Sequence, residues 1–217
     1  MKSIINFLVD RRTIDGFSSW CRQCYRDRGR EYKEEAIMAL SHNMICENCG
    51  FDEDIHGLTI AHPLNYLIPN GESRGGSNLW CSIKNSPYRY RLLGFRVLCM
   101  NCNWDEELER KRSLGYKNKR SLQSSESSKK LRGEILFAYS NGVPCCVKCG
   151  DSNINHLCLD EINGGGYQEL LKVGDRRKLW RWLRENNYPL EPKRQILCWN
   201  HNLIKRFYNG ENSSYGN

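Results

Sequence analysis

The chain has 217 residues, 39% of them hydrophobic, with a mean hydropathy of −0.70. No stretch approaches the roughly 20 apolar residues of a membrane helix, and the apolar run 3–9 stops at Asp10-Arg11-Arg12, too short for a secretory signal. The expected setting is therefore a reducing cytoplasm, where twelve cysteines point to metal binding rather than disulfides, and a net charge of +8 suits a polyanionic partner.

Residues 1–33 open the chain. Phe7, Gly16, Phe17 and the run Ser18-Ser19-Trp20-Cys21-x-x-Cys24 resemble the second half of a small zinc finger. Cys21 and Cys24 are thus candidates for a partial third zinc site. They belong to a truncated or degenerate finger, stay free, or recruit a ligand such as Cys81. The first of these is preferred.

Residues 34–42 read as a short amphipathic helix with Ala36, Ile37 and Leu40 on one side. A knuckle follows, Cys46-x-x-Cys49-Gly50. Leu58 and Ile60 then alternate as in a half-buried strand that ends at Ala61-His62. A second knuckle, Cys99-x-x-Cys102, runs into Asn103 at the start of a helix. His42 and His56 receive no role.

Residues 111–132 interleave serine with lysine and arginine and read as a solvated linker, either a plain tether or a strap along DNA. Leu131, Ile135 and Ala138 then mark a second amphipathic helix before Cys146-x-x-Cys149-Gly150. Cys145 competes with Cys146 in register. Leu157 and Leu159 give a second strand ending at Asp160-Glu161. His156 just before it is structural or faces a ligand. Residues 175–186 form a helix, with Asp175 as N-cap, Leu179 and Leu183 on one face beside Trp182, and Asn186-Asn187-Tyr188-Pro189 as the stop. Its Arg176, Arg177, Lys178, Arg181 and Arg184 are either DNA-binding groups or a solvated rim. Cys198-x-x-His201-Asn202 completes the series.

These segments repeat. Cys46 and Cys49 recur 100 residues on as Cys146 and Cys149, and Cys99 and Cys102 recur 99 residues on as Cys198 and His201. Leu58 to His62 match Leu157 to Glu161, and Asn103 matches Asn202. Three blocks in register signal a duplication. Paired knuckles supply the four ligands of tetrahedral zinc, as Cys46, Cys49, Cys99 and Cys102 in copy one and Cys146, Cys149, Cys198 and His201 in copy two. The same pairing disfavours a thiol redox protein.

The order Cys-x-x-Cys-Gly, strand, Leu-Cys-x-x-Cys-Asn resembles the zinc-containing HNH (His-Me finger) endonucleases, in particular their recombination endonuclease VII-like branch. Asn163-Gly164-Gly165-Gly166, Trp180-Arg181-Trp182-Leu183-Arg184 and Asn187-Tyr188-Pro189 add to the likeness, which spans residues 41–105 and 131–208. It implies a structural zinc and a catalytic Mg²⁺ or Mn²⁺ held by an Asp at the strand end and the Asn after the last zinc ligand. A His next to that Asp activates water. On this pattern His62 is the base and Asn103 a metal ligand in copy one, where Ala61 replaces the Asp. In copy two Asp160 and Asn202 are the metal ligands, and Glu161 replaces the His. Glu161 then serves as base, as a further metal ligand, or as an exposed charge.

The expected architecture is α+β: two tandem zinc-stapled ββα-metal modules at 34–110 and 131–217, a basic linker at 111–130, and a partial zinc finger at 1–33. The expected function is a Mg²⁺-dependent DNA endonuclease with weak activity centred on copy two. The alternative is a catalytically lost relative that binds nucleic acid or acts as a scaffold. The resemblance also implies a homodimer and a phage-encoded protein working in a host cytoplasm.

Overall fold

The computed structural model describes residues 7–63, 76–115, 119–140 and 142–209. The chain divides into two compact units, Met1–Glu47 with Ile60–Val97, and Asn48–Thr59 with Leu98–Asn217. The boundary passes through the first knuckle and through one hairpin. Among the described residues no helix is long and apolar enough to cross a membrane.

The first unit opens with the antiparallel pair β1 (Phe7–Val9) and β2 (Phe17–Cys21), which leads into α1 (Arg22–Leu40). Helix α1 contains no proline and is rich in Arg, Glu and Ala, residues that lose little freedom in a helix. The boundary expected at residue 33 therefore lies inside a continuous helix. Ala36, Ile37 and Leu40 are buried, as their spacing predicts. The helix packs on α2 (Gly76–Asn85) and α3 (Pro87–Leu92), whose Leu79, Ile83 and Tyr90 are also buried. Neither α2 nor α3 was anticipated.

The copies share one element order. In copy one, β3 (Leu58–Ala61) is followed by α2, α3, β4 (Arg96–Cys99) and α4 (Met100–Leu114), with β3 paired to β4. In copy two, α5 (Lys119–Ala138) precedes β5 (Leu157–Glu161), α6 (Gly166–Val173), α7 (Arg176–Glu185), β6 (Arg194–Cys198) and α8 (Trp199–Tyr208). Strands β5 and β6 pair antiparallel from Leu157 opposite Cys198 to Glu161 opposite Arg194. The result is an α+β protein with small two-stranded sheets.

Much of the segment read as a linker is helical, since α4 reaches Leu114 and α5 starts at Lys119. Helix α5 buries Leu131, Ile135 and Leu136, whereas Ala138 is exposed. The apolar stripe thus runs one residue away from the expected one. Helix α7 has Asp175 as N-cap, accepting from the Lys178 amide at 2.8 Å. Leu179 and Leu183 are buried beneath it, but Trp180 rather than Trp182 packs on them. Asn187 and Tyr188, both at φ 54°, turn the chain out of the helix.

Within the second unit α4 and α8 meet at their first turns. The Asn101 amide donates to Asn200 Oδ1 at 2.9 Å, and the Asn200 amide to Asn101 Oδ1 at 3.3 Å. Both asparagines are buried. They are 99 residues apart, so the duplication appears here as a reciprocal, pseudo-twofold contact.

Candidate functional site

Each knuckle is built the same way. Gly50 and Gly150 sit at φ +74° and +75°, the left-handed region that favours glycine. The Glu47 amide donates to the Val97 carbonyl, and the Val147 amide to Ile196, both at 3.0 Å. These bonds fasten each first knuckle to the strand that carries the second. The ligand atoms of Cys46, Cys49, Cys99 and Cys102 lie within 4.8 Å of one another, as do those of Cys146, Cys149, Cys198 and His201. In each group one cysteine is exposed and the other three ligands are buried. Cys146 is the ligand, and Cys145 stands outside the group.

The chemistry of both groups fits zinc. In copy two, Cys198 Sγ lies 3.2 Å and Cys146 Sγ 3.6 Å from His201 Nδ1. A hydrogen bond from Cys198 lowers the Cys146 thiol to about 4, and the same pairing together with burial drives Cys198 far upward. In copy one, burial raises Cys102. Crowded thiols cannot all ionise unaided, and a bound dication removes that conflict. His201 Nε2 meets Glu53 Oε1 at 3.0 Å, a carboxylate that fixes the ring so that Nδ1 faces the sulfurs.

The N-terminal pair is different. Cys21 and Cys24 have their sulfurs 3.3 Å apart, and Cys21 caps α1 as Cys99 caps α4. Among the described residues no third ligand, Cys81 included, joins them.

At the end of β5 the structure brings Asp160 and Asn202 together, as expected. Asn202 Nδ2 donates to Asp160 Oδ1 at 3.1 Å. Two groups missed in the sequence join them: Gln195 Nε2 at 2.8 Å and Lys205 Nζ at 2.7 Å, both on Asp160 Oδ2. The ammonium also donates to the Glu161 carbonyl. The Lys205 and Asp160 side chains are 14% and 7% exposed, so this ion pair is sheltered. A Mg²⁺ does not fit here, because the one carboxylate that would hold it already holds a cation of the chain itself.

Glu161 turns away from Asp160 toward the glycine loop. A Cβ on Gly165, at φ +103°, would lie 3.0 Å from Glu161 Oε2, so glycine is required there. Burial, then a hydrogen bond and repulsion from Glu169, raises the Glu161 carboxyl to about 7. Its Oε1 is buried without a partner, as is Trp104 Nε1.

Both residues line a cavity of about 690 Å³ wholly within the second unit. Asp160, Asn202 and Trp180 share its wall. Four arginines reach it. Arg194 is paired with Glu169 at 2.7 Å, whereas Arg132, Arg176 and Arg206 have no carboxylate partner among the described residues. Arg132 donates to the carbonyls of Asn155 and Leu157, and burial lowers its pKa, with Arg176 adding to the effect.

Of the five basic residues expected on α7, Arg176 alone lines the cavity. Arg177 donates to Ser124 Oγ at 3.0 Å, Arg184 pairs with Glu134 at 3.4 Å, Lys178 lies 3.9 Å from Asp175, and Arg181 is exposed. Arg132 and Arg206 were missed because each sits beside other cations of its own helix, Lys129 and Lys130 in α5 and Lys205 in α8, and the sequence does not single it out. In copy one, His62 follows β3, exposed, with its ring 5.1 Å from that of Phe95, and Asn103 is half-buried on the first turn of α4. His156 is structural, bridging Asp151 at 2.7 Å and Asp105 at 2.8 Å. No known family, curated protein or solved structure matches the chain.

Proposed function

We propose that the chain is a zinc-stapled nucleic-acid-binding protein of HNH type whose second copy holds phosphate with its own cations instead of a divalent metal. The observation that carries this reading is that Arg132, Arg176 and Arg206 line one cavity and have no carboxylate partner among the described residues. Guanidinium groups match phosphate oxygens in geometry and charge. Two of them close enough to repel, one largely desolvated, are stabilised by an anion. The likeness of the knuckles, strands and Asn202 to HNH enzymes makes DNA the expected polyanion.

The Mg²⁺-dependent endonuclease is the second reading. Its support is the contact of Asp160 with Asn202, and its obstacle is Lys205 on the same carboxylate.

Fluorescence anisotropy of the zinc-loaded chain with labelled DNA, run without added divalent metal and with Mg²⁺, separates the two. Binding is expected without Mg²⁺, to weaken steeply between about 50 and 200 mM salt, and to leave the DNA uncut in either buffer. Cleavage that needs Mg²⁺ and disappears in Asp160→Ala establishes the endonuclease instead. Binding indifferent to salt overturns the phosphate reading. A Lys205→Met protein is expected to gain Mn²⁺ binding, measured by electron paramagnetic resonance, that the unmodified protein lacks.

A further inference from the structure

The cavity offers more than charge. Trp104, Trp180 and Trp199 line it together with the three arginines. Trp104 and Trp199 have ring centroids 5.7 Å apart, and the Arg176 guanidinium lies 5.8 Å from the centroid of Trp199. The Trp199 indole is held in place by its N–H on the Asn155 carbonyl at 3.2 Å. The wall is therefore a fixed aromatic surface continued by a planar cation. Flat rings and guanidinium planes are what an unstacked base packs on. A continuous duplex cannot enter such a recess, because its bases are stacked and paired. The volume of about 690 Å³ falls in the range of pockets that enclose a whole small ligand, about 300–1,000 Å³.

We infer that this cavity takes one unpaired nucleotide, with the base against the tryptophans and the phosphate on Arg132, Arg176 and Arg206. The inference rests on the nucleic-acid reading above and sharpens it to strands that present an extruded or unpaired base. A free nucleotide offers the same chemistry, and the test distinguishes the two sources.

The zinc-loaded full chain is titrated by anisotropy with a labelled duplex carrying one unpaired adenine and with its fully paired counterpart. Adenosine monophosphate serves as competitor. Tighter binding of the bulged duplex is expected, by about tenfold for one stacked base, with displacement by the mononucleotide. Arg176→Ala and Arg206→Ala both change exposed side chains. Each is expected to erase the preference while keeping the zinc content and the melting temperature of the parent. Trp180→Leu, at a half-buried site, reports the aromatic wall and is read against its own melting curve. Equal binding of both duplexes, unaffected by the mononucleotide, overturns the inference and leaves the nucleic-acid reading standing. Saturable mononucleotide binding that Arg176→Ala abolishes, with no duplex bound, keeps the pocket and overturns the nucleic-acid reading. Absence of all binding overturns both.

Discussion

The two copies share a frame and differ in charge where they would do chemistry. Helix α4 follows its Asn103 with Trp104 and then Asp105, Glu106 and Glu107, whereas α8 follows Asn202 with Leu203, Ile204, Lys205 and Arg206. At the strand ends, buried Ala61 stands against buried Asp160. Copy one thus lacks the anion and places acids where copy two has its cations. Its carboxylates serve copy two instead: Glu53 on His201, Asp54 on the Tyr208 hydroxyl, Asp105 on His156. Copy one thus braces copy two and lends Trp104 to the cavity, whose other lining residues belong to copy two.

The sharpest way to break that comparison is to remove the metal, which both copies need equally. Elemental analysis is expected to find two zinc ions per chain, and each of Cys99→Ser and Cys198→Ser to retain one. A structural zinc contributes about 10–16 kcal/mol to folding, so either loss is expected to unfold its own knuckle. Because Asn101 and Asn200 bond reciprocally, each variant is also expected to lower the melting temperature of the other copy. A single zinc in the unmodified protein contradicts the paired sites.

A cavity test comes next in size. Asp160→Ala strands the sheltered Lys205 ammonium together with Gln195 and Asn202, and breaking a buried pair from one side costs about 3–5 kcal/mol. Denaturant unfolding is the measurement. The double variant Asp160→Ala, Lys205→Met is expected to recover most of that loss, since the stranded charge goes with its partner. An additive double variant shows that the pair contributes nothing specific.

The zinc ligands were legible because cysteine spacing fixes geometry almost alone, and the offset of 99–100 residues resolved the register at Cys145-Cys146. Buried stripes such as Ala36, Ile37 and Leu40 followed from helical period. What stayed hidden were tertiary facts. Lys205 is one basic residue among 33, and only the fold aims it at Asp160. Arg132 is one of several cations in a serine-rich helix until β5 packs beside it. Helix α5 itself was obscured because its serines and lysines have the composition of a linker, while Leu131, Ile135 and Leu136 anchor only its second half. The family likeness placed Asp160 beside Asn202 correctly, but a pattern of types carries no information on what else fills the space.

A smaller effect probes the bracing by copy one. Glu53→Gln keeps the hydrogen bond to His201 Nε2 but removes the charge that makes the imidazole a better ligand. Loss of such an outer partner weakens zinc by roughly 10–100-fold. Glu53 is 59% exposed, which places the expected change near the low end, about tenfold. Competition with a chelating dye measures it. Copy one, whose fourth ligand is Cys102, is expected to keep its zinc affinity in the same experiment, and equal weakening of both sites removes the asymmetry.

The smallest effect is read from pH. Glu161 titrates near 7 in the folded chain, up from an ordinary 4.5, because burial and Glu169 disfavour its charge. Between those two values the folded state holds a proton that the unfolded state has released, so the linkage runs against stability as pH rises. The contribution of this group is greatest below pH 4.5, declines as pH climbs through 7, and is flat above. Glu161→Gln cannot ionise and loses that slope. At pH 8 the variant is expected to be more stable than the parent by on the order of 1–2 kcal/mol, after discounting for the partial exposure of the site. At pH 4.5 the two are expected to match. Parent and variant differ at Glu161 alone, so the difference between them across that range belongs to that one group. A variant whose stability tracks the parent at every pH shows that Glu161 ionises normally and that the acidic end of the cavity is open to water.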